Sequence, residues 1–322
     1  MAELGLAALG LLILLLAGDA LVRGAVNMAL RLGVPALLVS LTVVAFGTSA
    51  PELLIAIQGV RDGVPGLALG NVVGSNIANI LLVLGIPALI SRMSAAGLDL
   101  RKSYVVMVVA TLLFIAVSLV GTIGTASGIV LLVALAAILS WQARGALQAR
   151  RASKAAPDEE EVEGADPEMR WWKIALYLVL GLIGLPLGAD ILIDSATTIA
   201  ERVGVSDTLI GLTLVAVGTS LPELATSAVA AWKGKADVAL GNVIGSNMFN
   251  LLAIIGIASL FGDIPADPEI MSFDVWIMLL TALILAPFVF VPRIWLGRRV
   301  GAVFCTAYAL YIVALIARSG AI

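Results

Sequence analysis

Apolar positions in this chain cluster in long blocks and do not alternate as they would in strands. Runs long enough to cross a bilayer's hydrocarbon, about 20 residues each, fall near 3–22, 36–60, 67–91, 103–120, 125–143, 171–193, 207–231, 237–260, 272–291 and 300–318. In lipid, backbone polar groups must bond within their own segment, so each run reads as a helix. The pattern predicts an all-α integral membrane protein with ten transmembrane helices. The turn across 121–128 separates two of them tightly. The second, third, seventh and eighth runs hold polar islands, and these helices are expected to be interrupted.

The islands come in matched pairs. Gly47-Thr48-Ser49-Ala50-Pro51-Glu52 returns as Gly218-Thr219-Ser220-Leu221-Pro222-Glu223. Gly70-Asn71-Val72-Val73-Gly74-Ser75-Asn76-Ile77-Ala78-Asn79 returns as Gly241-Asn242-Val243-Ile244-Gly245-Ser246-Asn247-Met248-Phe249-Asn250. One shift of 171 positions (223 − 52) aligns both pairs, and 26 of the 56 positions between 32–87 and 203–258 are identical. Asp19 falls on Asp190 at the same shift. Five helices per half is an odd number, so the second half enters the membrane from the opposite side. An inverted-topology repeat of this kind is characteristic of secondary transporters, whose substrate sites lie near the midplane where interrupted helices meet.

Composition and charge sharpen the picture. Of 322 residues 61% are hydrophobic and 13% charged, and mean hydropathy is +1.10, as a polytopic membrane protein requires. The net charge of −3 gives no reason to expect a nucleic-acid partner. Sixteen of the 19 lysines and arginines fall on one side of the ten-helix layout, leaving Arg61, Arg202 and Arg318 on the other. That bias places both termini on the non-cytoplasmic side. The halves are 1–143 and 171–322, joined by a cytoplasmic linker, 144–170. Its acidic run Asp158-Glu159-Glu160-Glu161-Val162-Glu163 reads as solvated, disordered linker. Glu3 precedes the first run without a basic residue, unlike a cleavable signal. Cys305 reads as packing, and the absence of histidine removes the commonest proton shuttle and transition-metal ligand.

The islands carry the candidate chemistry. Ionised glutamate inside a bilayer is costly and normally faces a cavity or a cation. Thr48 and Glu52 stand four apart on one helix face, and Pro51 opens the turn between them by withholding a donor from the Gly47 carbonyl. Ser75 and Asn79 repeat the spacing, and the second half adds Thr219, Ser220, Glu223, Ser246 and Asn250. Such a site has two carboxylates, two amides, hydroxyls and carbonyls, and no nitrogen or sulfur donor. It suits Ca²⁺ or Na⁺ as a transported substrate. Two carboxylates balance one Ca²⁺ or two Na⁺; crossing with the site cation-free would leave like charges in low dielectric, so exchange is expected over uniport. Asn71 and Asn242 read equally as part of the site or as helix packing or capping, and Asp19 reads as an interfacial ion pair with Arg23, four residues on, with a role in gating as the alternative.

At these residues the chain resembles the cation/calcium exchanger superfamily, specifically the prokaryotic sodium/calcium exchangers. The likeness spans essentially the whole chain, including the five-plus-five layout. The resemblance implies a diamond of cation sites between helices 2, 3, 7 and 8. Glu52, Glu223, Thr48 and Thr219 would ligate calcium. Ser49, Ser75, Ser220, Ser246 and the carbonyls of Ala45 and Ala216 would help form flanking sodium sites, with Asn79 and Asn250 in the remaining central positions. Helices 1 and 6 would slide across the other eight. Potassium-dependent members carry aspartate at the position of Asn250, so its amide argues against K⁺ co-transport. The proton/calcium branch uses acidic and histidine residues at the second island.

The expectation is therefore an Na⁺/Ca²⁺ antiporter of the inner (plasma) membrane, electrogenic if a third sodium binds, with no enzyme active site and no resident cofactor. The alternatives are a proton/calcium or potassium-dependent exchanger and, from another class, a cation channel. Asp19 with Asp190 as an intramembrane aspartyl protease lacks the Gly-x-Gly-Asp element and leaves the repeats unexplained.

Overall fold

The computed structural model describes residues 2–34, 36–94, 100–152, 166, 168–202, 216–291 and 293–318. These are almost wholly helical: α1 (Ala2–Leu32), α2 (36–48), α3 (Ala50–Arg61), α4 (Pro65–Ile90), α5 (Leu100–Ser118), α6 (Thr125–Ala152), α7 (Trp171–Arg202), α8 (Ala216–Thr219), α9 (Leu221–Trp232), α10 (Ala236–Ala258), α11 (Ile270–Phe290) and α12 (Arg298–Arg318). Among them eight are long and apolar enough to cross a membrane, and α2 with α3 forms a ninth span bent by 49°. The seventh expected span is seen only from Ala216 onward, as α8 and α9; its first part, 207–215, lies outside the described residues. The acidic run 158–163 lies outside them too.

Two boundaries differ from the sequence reading. The helix expected to stop at 143 continues as α6 to Ala152, because its arginine-rich end can stay helical in water after the apolar run has ended. The far end of the expected linker is tied down: the Asp166 N–H donates to Asn27 Oδ1 at 2.8 Å, and Arg31 Nε donates to the Met169 carbonyl at 3.0 Å.

The interruptions take two forms. The α2–α3 break is at Ser49, and the α8–α9 break at Ser220, 171 positions later. Proline stands in the first turn of each following helix, where its missing N–H costs nothing but the preceding turn cannot continue. In α4 and α10 the expected interruption is absent. Their islands contain no proline, and the helix runs through them, taking up one extra residue per turn in π-helical segments at Asn79–Val83 and Asn250–Ile254. Such π-turns are frequent at functional sites.

α10 forms the centre of the molecule and is buried along its apolar length. It packs against α2, α5 and α9. α1 and α7 form a separate layer and run antiparallel. Gly10 lies against Gly188 and Leu192, Ala17 against Gly184, Leu21 against Gly181, and Gly24 against Leu178. A Cβ on Gly188 would stand 2.9 Å from Leu14 N and 3.0 Å from Gly10 O, so glycine there is what lets the backbones meet. The loops are also paired. β1 (Thr122–Ile123) and β2 (Ile264–Pro265) form an antiparallel ladder, and Met93 bridges Leu296.

Candidate functional site

The α2–α3 and α8–α9 breaks and the islands of α4 and α10 meet in the interior. Glu52 and Glu223 each lie in the first turn of a half-helix, beside its free N–H groups, at 1% and 0% exposure. They stand within electrostatic reach of each other.

Contacts cross between the halves. Ser49 Oγ donates to Glu223 Oε1 at 3.0 Å, and Ser246 Oγ reaches the same oxygen at 3.4 Å. Thr48 Oγ1 donates to Asn242 Oδ1 and to the Ala45 carbonyl, both at 3.3 Å. Thr219 Oγ1 donates to Asn71 Oδ1 at 3.4 Å. Asn242 also donates to the Glu223 carbonyl at 3.3 Å and to Ser227 Oγ at 3.2 Å. Asn71 and Asn242, undecided from sequence between a place in the site and helix packing or capping, join the two halves at their threonines.

Below the glutamates four asparagines form a reciprocal set. Asn79 Nδ2 donates to Asn247 Oδ1 at 3.0 Å, and Asn250 Nδ2 donates to Asn76 Oδ1 at 3.1 Å. Asn76 Nδ2 donates to the Asn247 carbonyl at 3.3 Å, and Asn247 Nδ2 to the Asn76 carbonyl at 3.4 Å. Sequence reasoning singled out Asn79 and Asn250 but not Asn76 and Asn247; the signal was their identity across the 171-residue shift. The set occupies the Asn79 and Asn250 amino groups and leaves both side-chain carbonyl oxygens buried without a partner.

The buried polar atoms lacking a hydrogen-bond partner identify what this arrangement can do. They include both oxygens of Glu52, Glu223 Oε2, Asn79 Oδ1, Asn250 Oδ1, and the Ser75 and Ser220 hydroxyls. Native interiors tolerate few such atoms, and leaving a charged one unpaired is costlier still. Here seven oxygens, from both halves and three of them carboxylate, share one condition. A dehydrated hard cation is the partner they fit, since calcium takes about 6–8 oxygens in flexible geometry.

Of the remaining expected residues, Ala45 is buried, and its carbonyl already accepts from the Ser49 N–H at 3.1 Å and from Thr48. Ala216 opens α8. Outside the site, Arg23 Nε binds Asp19 Oδ2 at 2.7 Å, as the spacing suggested, and Lys233 supplies a second partner that the sequence did not reveal. Asp190 is exposed.

Comparison with known proteins agrees with this geometry. The family model described as sodium/calcium exchanger protein matches residues 3–144 and 173–317. The putative antiporter CaxA of Alkalimonas amylolytica is 35% identical over 280 residues, 86% of either chain. The sodium/calcium exchanger MaX1 of Methanosarcina acetivorans is 32% identical over an alignment of 347 positions, covering 95% of this chain and 96% of its own. Among solved structures, the sodium-calcium exchanger NCX_Mj superposes with a TM-score of 0.82 at 32% identity, over 97% of this chain and 98% of that one. The chain is a multi-pass membrane protein and belongs to the sodium/calcium exchanger protein family.

Proposed function

We propose that this chain is a secondary active antiporter that exchanges Na⁺ for Ca²⁺ by alternating access, moving net charge and independent of K⁺. The observation that carries the reading is the set of unpartnered buried oxygens around Glu52 and Glu223. Their two charges balance one Ca²⁺ or two Na⁺, so either cargo neutralises the site. A third sodium would make the exchange electrogenic. Thr48 and Thr219 would join the two carboxylates around calcium, while Ser49, Ser75, Ser220 and Ser246 would hold the monovalent ions, assisted by the Ala45 and Ala216 carbonyls. Asn79 and Asn250 contribute neutral oxygens, and with no third carboxylate the site offers no charge for an additional K⁺.

The proposed architecture is ten helices in two inverted halves of five, with both termini on the non-cytoplasmic side of the inner membrane. Three observations support it. The equivalent helices α1 and α7 run antiparallel. The two loop pairings, β1 with β2 and Met93 with Leu296, each join loops that this layout puts on one side. The exposed tryptophans fall near the two ends of the spans, Trp141, Trp171, Trp172, Trp232 and Trp295 at its cytoplasmic, arginine-rich face and Trp276 towards the other, as interfacial aromatic belts do. The α1–α7 layer is taken as the moving part, since most of its buried apolar side chains belong to a second cluster beside the main core.

The test is radioactive calcium uptake into vesicles holding the purified protein. Uptake is expected to follow an outward sodium gradient, to respond to membrane potential, and to be unchanged by K⁺. Uptake driven equally by a pH gradient with no sodium present would overturn the sodium assignment in favour of proton coupling.

A further inference from the structure

A cavity of about 360 Å³ lies between α4, α11 and α12, away from the α1–α7 layer. Its wall on α4 runs from Gly66 to Ser75, ten residues or about 14 Å of helix. Gly66, Gly70 and Gly74 line that wall. Glycines at this spacing normally bring two helices into contact. Here, apart from the glycine's own turn of helix, no atom of a described residue lies within 4 Å of where a Cβ would stand on Gly66 or Gly74, and on Gly70 the nearest is Ile270 Cδ1 at 3.7 Å. The matching Gly245 is packed hard against Leu41 and Ala45. The stripe therefore shapes an open wall on one half only.

The opposite wall carries Asp267, Glu269 and Asp274 with Tyr308 and Tyr311, and Arg318 near the rim. Three carboxylates against one guanidinium leave a formal excess of two negative charges. Asp274 is buried and accepts from the Tyr311 hydroxyl at 2.9 Å, while Arg318 sits over the Phe273 ring at 4.4 Å. The positions 171 residues earlier are Ala96, Leu98, Ser103, Ala137, Ser140 and Leu147, none of them charged. The acidity therefore belongs to this face alone. At the cavity's inner end stands Ser75, 2% exposed, whose hydroxyl has no partner, next to Asn71, whose Nδ2 has none and whose Oδ1 holds Thr219. Among the described residues no three acidic side chains converge closely enough to chelate a metal directly.

We infer that this cavity is a cation vestibule, in which the Asp267, Glu269 and Asp274 charges gather hydrated cations from the face where α12 ends and pass them to Ser75 at the central site. Delivery of an ion that is then exchanged rests on the proposed antiport; the vestibule's charge selectivity does not. A cleft lined by one sign of charge between low-dielectric walls concentrates counter-ions by about 10- to 10³-fold.

The test places a thiol on the open wall, Gly70→Cys in a Cys305→Ala background, in intact vesicles. Membrane-impermeant methanethiosulfonate reagents, one cationic and one anionic, are applied to that face. The cationic reagent is expected to react at least about tenfold faster than the anionic one, relative to a free thiol, and modification should block calcium uptake. Adding Asp267→Asn with Glu269→Gln should collapse the rate ratio several-fold. A ratio near one, a ratio unmoved by those two substitutions, or full uptake after complete modification would each overturn the inference. Gly66→Cys, nearer the rim, serves the same test if Gly70→Cys does not fold. Charge-selective labelling with sodium-independent uptake would count against the exchange reading alone.

Discussion

Replacing Glu52 by Gln tests the site most directly, because Glu52 has both carboxylate oxygens buried and unpartnered. The substitution keeps the shape and removes one of two formal charges. At a calcium–oxygen distance of about 2.4 Å and an effective dielectric of about 20, that charge contributes on the order of 14 kcal/mol of gross attraction to a divalent ion. Most of this is offset by the ion's lost hydration. Breaking one side of a buried charge pair leaves about 3–5 kcal/mol, roughly a 10²- to 10⁴-fold loss of Ca²⁺ affinity. A monovalent ion has half the interaction energy with that charge, so sodium affinity should fall only by about the square root of that factor. Thermal unfolding of the detergent-solubilised protein gives the readout. Calcium at about 100 times its dissociation constant stabilises a single-site protein by about 2.7 kcal/mol, a shift of a few degrees. Wild type should show that shift and Glu52→Gln should lose it, while retaining a weakened response to sodium. The cation-free variant should melt at or above cation-free wild type, since one of two neighbouring buried charges has gone. A full calcium shift in Glu52→Gln would refute the reasoning, because the carboxylate would then not be a ligand.

Further outcomes follow from single contacts. Ser49→Ala removes the 3.0 Å donor to Glu223 Oε1; a hydrogen bond to a charged group contributes about 1.5–3 kcal/mol, so the half-saturating sodium concentration for exchange should rise by about tenfold or more. Asn250→Asp deletes the amide bonded to Asn76 and adds a third carboxylate; the cation-free protein should be less stable, and stimulation of calcium uptake by K⁺ should appear. Gly188→Val drives a branched side chain into the Leu14 and Gly10 backbone; overpacking costs about 1–3 kcal/mol, and uptake should fall while the calcium-induced thermal shift persists. Asp19→Asn removes a partly exposed ion pair with Arg23 and Lys233; pairs of that exposure contribute about 1 kcal/mol or less, so uptake should stay within about fivefold of wild type.

What could be read from sequence divides along a physical line. Membrane helices, the 171-residue repeat and the residue types at the islands all depend on local composition, and lipid allows so few backbone solutions that composition suffices. The ends of α6 and α7 lie beyond that rule, since a helix that has left the apolar layer is held by water-exposed propensity and by contacts such as Arg31 with Met169. The form of the interruptions was half legible. Proline at 51 and 222 forces the breaks at Ser49 and Ser220, whereas the π-turns starting at Asn79 and Asn250 arise where asparagines from opposite halves must meet face to face. That requirement is tertiary, and no window of sequence contains it. The same holds for Asn242, whose three partners lie 15, 19 and 194 positions away. The acidic wall at Asp267, Glu269 and Asp274 escaped the repeat argument for the opposite reason, since a search for symmetry cannot see what one half has and the other lacks. The duplicated residues make the centre equivalent from either side; the unduplicated ones let the two faces of an exchanger differ in how ions reach it.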